Sequence, residues 1–317
     1  MKNFRKTYLL AALAAVTALM VGAAVAQAAK TDKGAVKNGV SWIRSTGLSQ
    51  FPTGGTGFKA DTLSALAAAK KIGVSVSKKT TDRFIESVAE EATDYAGSAG
   101  ATSKLILAAT ATGRNPRCFG PDGEKSDLIA ILNSDYNSSS GQYGKTSFDH
   151  ALAMLGRRAA HEKIPSKAVN FAKSRRGQYG WNFAMSKSSG DDVESSALMI
   201  EALRAAGMSK NNGALKSAYK WITYQRNLDG GYNPETPNGE TQADATAYAI
   251  RAFDTLGAST KAAKRALRAL QKNGGSFRSS PSAGGSYPTI STTNAVLALS
   301  GQHYPVVARS KAGKSCV

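Results

Sequence analysis

The sequence predicts an all-α fold, a closed ring of six outer/inner helix pairs, on three observations. Six Ala/Leu-rich segments recur along the chain, each led by a polar residue: Thr62, Thr102, His150, Ser196, Thr246 and Asn294. The steps between these residues are 40, 48, 46, 50 and 48 positions, and four segments run eleven residues on to a glycine, Gly73, Gly113, Gly207 and Gly257. A near-constant period of this size marks a repeat architecture. Finally, more charged helical stretches alternate with these segments, and strand-like alternation is essentially absent.

In chain order, the charged stretches fall near residues 35–45, 80–95, 125–135, 165–175, 213–225 and 259–272. In the fifth, Leu215, Ala218, Tyr219 and Ile222 share one face, while Lys216, Ser217, Lys220 and Thr223 point elsewhere. That i, i+3, i+4, i+7 spacing is the pattern of a surface helix. The Ala-rich partners are apolar around most of their circumference, which predicts burial. Turn signals separate the two kinds: Gly54-Gly55-Thr56-Gly57, Gly141, Gly177, Gly230-Gly231, Gly274-Gly275 and Gly284-Gly285. An open superhelix is the structural rival, but it needs terminal caps over its apolar faces. No distinct cap repeat is present, so the inner helices are expected to run parallel around a closed ring. One domain is expected over 29–305, followed by a basic tail at 306–317.

Residues 1–28 are set aside as a signal peptide. Lys2, Arg5 and Lys6 precede an apolar run from Tyr8 to about Ala26, and Ala26-Gln27-Ala28 offers a small-residue cleavage site. An uncleaved anchor is the alternative, since the run approaches the length of a span. Cleavage predicts a secreted or wall-associated protein with no integral span. The formal charge is +19, and +16 without residues 1–28, which hold three basic residues and no acidic one. Such a surface attracts anions. For an exported chain these are anionic cell-surface polymers rather than nucleic acid. The densest run, Lys261, Lys264, Arg265, Arg268 and Lys272, reads as a solvated helix face. The two cysteines, Cys118 and Cys316, are a disulfide candidate in an oxidising compartment, with two free thiols as the alternative.

In the fifth repeat, Trp221-Ile222-Thr223-Tyr224-Gln225-Arg226-Asn227-Leu228-Asp229-Gly230-Gly231-Tyr232 resembles the Gln–Trp repeat of squalene and terpene cyclases and protein prenyltransferases. Weaker copies are Phe171 to Trp181 and Leu267 to Phe277, and Trp42-Ile43 with Gly55, Gly57 and Phe58 is a stretched one. The second and third repeats are degenerate. The resemblance implies an (α/α)6 toroid, whose superfamily also includes cobalamin carriers and thioester domains. Physically, the two glycines allow a turn with positive φ, and the aromatic that follows staples that turn to the next helix.

The resemblance also implies where chemistry could sit. The cyclases protonate substrate with the middle carboxyl of Asp-x-Asp-Asp-Thr-Ala. Here Gln242-Ala243-Asp244-Ala245-Thr246-Ala247 keeps only that middle Asp, the Thr and the Ala, and Asp192-Val193-Glu194-Ser195-Ser196-Ala197 keeps two acids. The same acids, just before apolar helices, also look like helix caps. Without acidic neighbours Asp244 is expected to be an ordinary carboxyl. The zinc set of the prenyltransferases has no Cys near His150, and the Gly-Cys-Gly-Glu-Gln run of the thioester domains is absent, so neither metal nor cofactor is expected. No nucleophile elbow supports hydrolysis. The candidate ligand-binding set is Thr62, Asp149, His150, Glu194, Ser196, Asp244, Thr246 and Asn294, a polar rim over an apolar wall. The function expected is an exported, non-catalytic protein that holds a small apolar or amphipathic ligand, or a partner, in the central cavity. A cyclase-like enzyme with Asp244, or Asp192 and Glu194, as acid is the alternative, and a basic cell-wall structural protein is a second one.

Overall fold

Alternating helices build the chain: α1 (32–46), α2 (Thr56–Lys71), α3 (Lys78–Glu90), the one-turn α4 (Ala92–Tyr95), α5 (Ala99–Ala111), α6 (Leu128–Ser134), α7 (Ser147–Ala159), α8 (Ser166–Ser174), α9 (Val193–Ala205), α10 (Gly213–Tyr224), α11 (Ala243–Leu256), α12 (Lys261–Ala269) and α13 (Pro288–Leu299). The structure, a computed structural model, describes residues 32–51, 55–234, 237, 239–283, 288–308 and 316. The expected signal segment lies outside the described residues, as does most of the expected tail. Among the described residues there are isolated β-bridges but no sheet, and no helix is long and apolar enough to cross a membrane.

Polar caps start the helices. Ser77, Ser98, Asp127, Asp192 and Asn212 each accept a backbone N–H of the following turn, and Thr146 forms a capping box with Asp149. Gly73, Gly113, Gly207 and Gly257 lie at φ between +69° and +89° just past α2, α5, α9 and α11. A left-handed residue there closes the end of a helix, and glycine adopts it without a side-chain penalty. His161 holds the same place after α7 at φ +60°, eleven residues beyond His150.

The inner helices α2, α5, α7, α9, α11 and α13 pack on one another in that order, and α13 packs back on α2. Thr62 Oγ1 and Thr293 Oγ1 lie 2.8 Å apart across this closure. The outer layer closes too: Gln271 donates to the Ala35 carbonyl at 2.9 Å, and Arg268 pairs with Asp32. A Cβ on Gly39 of α1 would stand 2.6 Å from Val296 Cγ2 of α13, so this contact requires glycine. Neighbouring inner helices share a direction. Glu194 feels the charge of Asp244 at the start of α9 and α11, and seven residues further on Glu201 pairs with Arg251. Leu63, Leu105, Leu155, Ile200, Ile250 and Val296 are fully buried between the two layers. Each contributes about 1.5–3 kcal/mol of hydrophobic stabilisation.

Candidate functional site

Four buried turns follow one rule. Each aromatic after a turn donates its backbone N–H to a side chain in the first turns of the next inner helix: Tyr143 to His150 Nδ1 (3.1 Å), Trp181 to Ser196 Oγ (2.8 Å), Tyr232 to Thr246 Oγ1 (3.0 Å) and Phe277 to Thr292 Oγ1 (2.9 Å). All four acceptors are fully buried. A buried N–H without a partner is costly, so the staple needs a hydroxyl or imidazole acceptor. His150 uses one neutral tautomer: Nδ1 accepts, and Nε2–H donates to the Ala168 carbonyl at 3.0 Å. Burial pushes its pKa down to about 4.

The structure therefore divides the residues that the sequence grouped as a rim. Thr102, His150, Ser196 and Thr246 stand fourth in their helices, and Thr62 and Asn294 seventh, because caps and first turns precede them. His150, Ser196 and Thr246 are committed to the staples. Thr62 donates to the Phe58 carbonyl at 2.8 Å within its own helix and is fully buried. Asp149 accepts the N–H groups of Lys145 and Thr146, each at 3.1 Å, and so serves its helix start.

Glu194, Asp244 and Asn294 do come together. They keep some accessible surface at the mouth formed by the starts of α9, α11 and α13. Asp244 does not cap its helix. Gln242 occupies the cap position, and Asp244 instead accepts from Asn294 Nδ2 at 2.8 Å and Ser291 Oγ at 3.5 Å on α13. Desolvation raises its pKa, against those hydrogen bonds, so it is not the ordinary carboxyl expected from sequence. Desolvation, then the neighbouring charges of Asp244 and Asp192, push Glu194 up to about 8. Two like charges at one site resist joint ionisation, so the pair holds a proton at neutral pH. Asp192 belongs to the caps, accepting from the Ser195 and Phe183 N–H groups. Tyr248 stands one turn beyond Asp244 on α11, and Phe148 of α7 lies 5.7 Å from it and 5.9 Å from Phe183, centre to centre. Phe183 is 58% exposed.

Below the mouth the bore is crossed by the chain itself. Of residues 301–308, which follow α13, Tyr304 and Val306 are buried. The Tyr304 N–H donates to Glu201 Oε2 on α9 at 2.8 Å, and its hydroxyl to Asp61 Oδ1 on α2 at 3.3 Å. These helices stand opposite each other in the ring. Ala308 N–H then reaches the Thr110 carbonyl of α5 at 3.1 Å, and a disulfide joins Cys118 to Cys316 with Cα atoms 5.1 Å apart. Arg251 lies between the rings of Tyr248 (4.2 Å) and Tyr304 (4.9 Å), with Nε 3.0 Å from Glu201 Oε1. Burial alone would lower its pKa, but Glu201 raises it, so it remains a cation. Lys104 pairs likewise with Asp61 at 2.7 Å, its pKa raised by that carboxylate against burial.

Sequence reasoning missed Asp61, Lys104, Glu201 and Arg251. A signal was present: each is a charge inside an apolar segment, and Glu201 and Arg251 stand five residues beyond Ser196 and Thr246. Among the described residues, no group of His, Cys, Asp and Glu is arranged to hold a metal.

No family model and no curated protein matches the sequence. Solved structures do match in shape. The apo type II terpene cyclase MstE from Scytonema aligns with a TM-score of 0.60 at 14% identity, over 86% of this chain and 98% of that one. A variant of the same cyclase in complex with geranylgeranyl dihydroxybenzoate, its substrate, gives 0.61 at 13% identity, over 87% and 97%. A variant in complex with the product merosterolic acid A gives 0.60 at 13%, over 86% and 98%. The chain thus has an all-α, terpene cyclase-like fold.

Proposed function

We propose that the protein binds an amphipathic, terpenoid-like molecule at the mouth of its ring and does not cyclise it. The observation that carries this reading is Tyr304, which bridges opposite inner helices through Glu201 and Asp61 and so crosses the bore below the carboxyl pair. A cyclase must fold a long isoprenoid chain below its acid, and here Tyr304, Arg251 and the Phe148–Tyr248 contact reach across that space. What remains is an aromatic mouth with a proton-sharing carboxyl pair, suited to an apolar body with a hydrogen-bonding edge. The similar folds that hold a terpenoid substrate and product support this ligand class. The expected leader at residues 1–28 supports a site of action outside the cell.

The cyclase reading keeps one observation in its favour. Asp244 is a desolvated carboxyl whose conjugate base Asn294 and Ser291 would stabilise. One experiment separates the two. Purified protein is incubated with squalene and with geranylgeranyl-bearing aromatic acids, and binding and products are read by native and product mass spectrometry. Retained ligand with no cyclic product is expected. A cyclic product that disappears with Asp244→Asn in a folded variant makes the protein an enzyme.

A further inference from the structure

On the outside of the ring, α10 carries a second face. Gly213, Lys216, Ser217, Lys220, Trp221 and Tyr224 recur at i, i+3, i+4, i+7, i+8 and i+11, opposite the buried Leu215, Ala218 and Ile222. These residues, with Tyr179 from the loop after α8, line a groove of about 770 Å³. Tyr224 is 78% and Tyr179 44% exposed, while most large apolar and aromatic side chains are buried. The resemblance to the Gln–Trp repeat accounts for the buried Tyr232, but not for an outward Tyr224. The Tyr179 loop is fixed in advance: Arg176 donates to the Gln178 and Tyr179 carbonyls and to Ser217 Oγ, and Asp191 accepts the Tyr179 N–H. Lys216 and Lys220 are exposed, one helical turn apart, and form no ion pair among the described residues.

We infer that this groove binds an acidic polysaccharide, with sugar rings stacked on Tyr179 and Tyr224 and carboxylates paired with Lys216 and Lys220. A helix face of this length spans about 18 Å, room for several sugar units. Exposed aromatics on a rigid support offer contact area at little entropic cost. The cation chemistry favours carboxylates over a phosphate backbone. Arg176 beside the groove, suited to bidentate phosphate recognition, is already committed to the Gln178 and Tyr179 carbonyls and to Ser217, and the cations that line the groove are the lysines Lys216 and Lys220, single mobile point charges. The net charge of +16 outside residues 1–28 favours a polyanion throughout.

The test uses the full chain in calorimetric titration with a polygalacturonate oligosaccharide, its methyl-esterified counterpart and a single-stranded oligonucleotide. The expected result is binding of the polyuronate that weakens with salt, at least tenfold weaker binding of the ester, and at least tenfold loss in both Tyr224→Ala and the Lys216→Ala/Lys220→Ala pair. Lys79→Ala, an exposed lysine on another helix, should leave affinity unchanged, and circular dichroism checks that each variant is folded. Absence of polyuronate binding, equal binding of the neutral ester, undiminished binding by the groove variants, or tighter oligonucleotide binding lost in those same variants would overturn the inference.

Discussion

Arg251 Nε donates to Glu201 Oε1 at 3.0 Å with both side chains fully buried, and the two residues hold the same position in successive repeats. Arg251 Nη1 and Nη2 make no hydrogen bond among the described residues and rest against aromatic faces instead. Glu201 therefore carries most of the compensation for a buried charge, and it also accepts the Tyr304 N–H that seats the plug.

Replacing Glu201 by Leu should be severe, since an unpaired buried guanidinium costs about 3–5 kcal/mol. The double variant Glu201→Leu/Arg251→Met should recover a large part of that loss, because the charge goes with its partner. Chemical denaturation of both single variants and the pair, read as a double-mutant cycle, checks this. A loss in the double variant equal to the sum of the two single losses would mean that the contact contributes little.

The contrast with the sequence reading is physical. Helix alternation was legible because burial imposes apolar periodicity, and the left-handed glycines after α2, α5, α9 and α11 marked the helix ends directly. The site was legible only in part. A polar residue ahead of an apolar run has one sequence appearance, whether it caps a helix like Asp192, staples a turn like Thr246 or faces the bore like Asp244. Telling them apart requires knowing what approaches from another repeat. The Asn294–Asp244 bond joins residues 50 apart, and Tyr304 meets Asp61 across 243 positions. No local pattern encodes either contact.

His150 gives a pH prediction. Its pKa is about 4 in the fold, below an ordinary value of 6.5. As pH falls, the unfolded chain takes up the proton first. The stabilisation is therefore complete above about pH 6.5 and is lost as pH falls towards about 4, by roughly 3 kcal/mol at about 1.36 kcal/mol per pK unit. His150→Thr supplies the acceptor that the Thr246 repeat uses, so it keeps a partner for Tyr143 while abolishing the titration. Urea unfolding across this window should show a shallower slope in the variant. An unchanged slope would assign the pH dependence to other groups.

The carboxyl pair at the mouth acts with the opposite sign. Glu194 has a folded pKa of about 8 against an ordinary value of 4.5. The unfolded chain loses this proton first as pH rises, so the contribution is fully present below about pH 4.5 and disappears on the way to about pH 8. Because Glu194 and Asp244 interact, that upper value belongs to the pair. Glu194→Gln removes the second charge while keeping the shape. Its melting temperature should match the wild type at low pH and exceed it increasingly through this window, by roughly 2–4 °C for each kcal/mol recovered. Asp244→Asn should also remove the mutual repulsion, but it replaces one of the two carboxylate oxygens that accept from Asn294 and Ser291 with a donor, so its gain at high pH should be smaller than that of Glu194→Gln. Thermal melts of both variants over the same pH series decide the matter. A gap between Glu194→Gln and wild type that does not widen with pH would show that the mouth does not raise the pKa of Glu194 above its ordinary value.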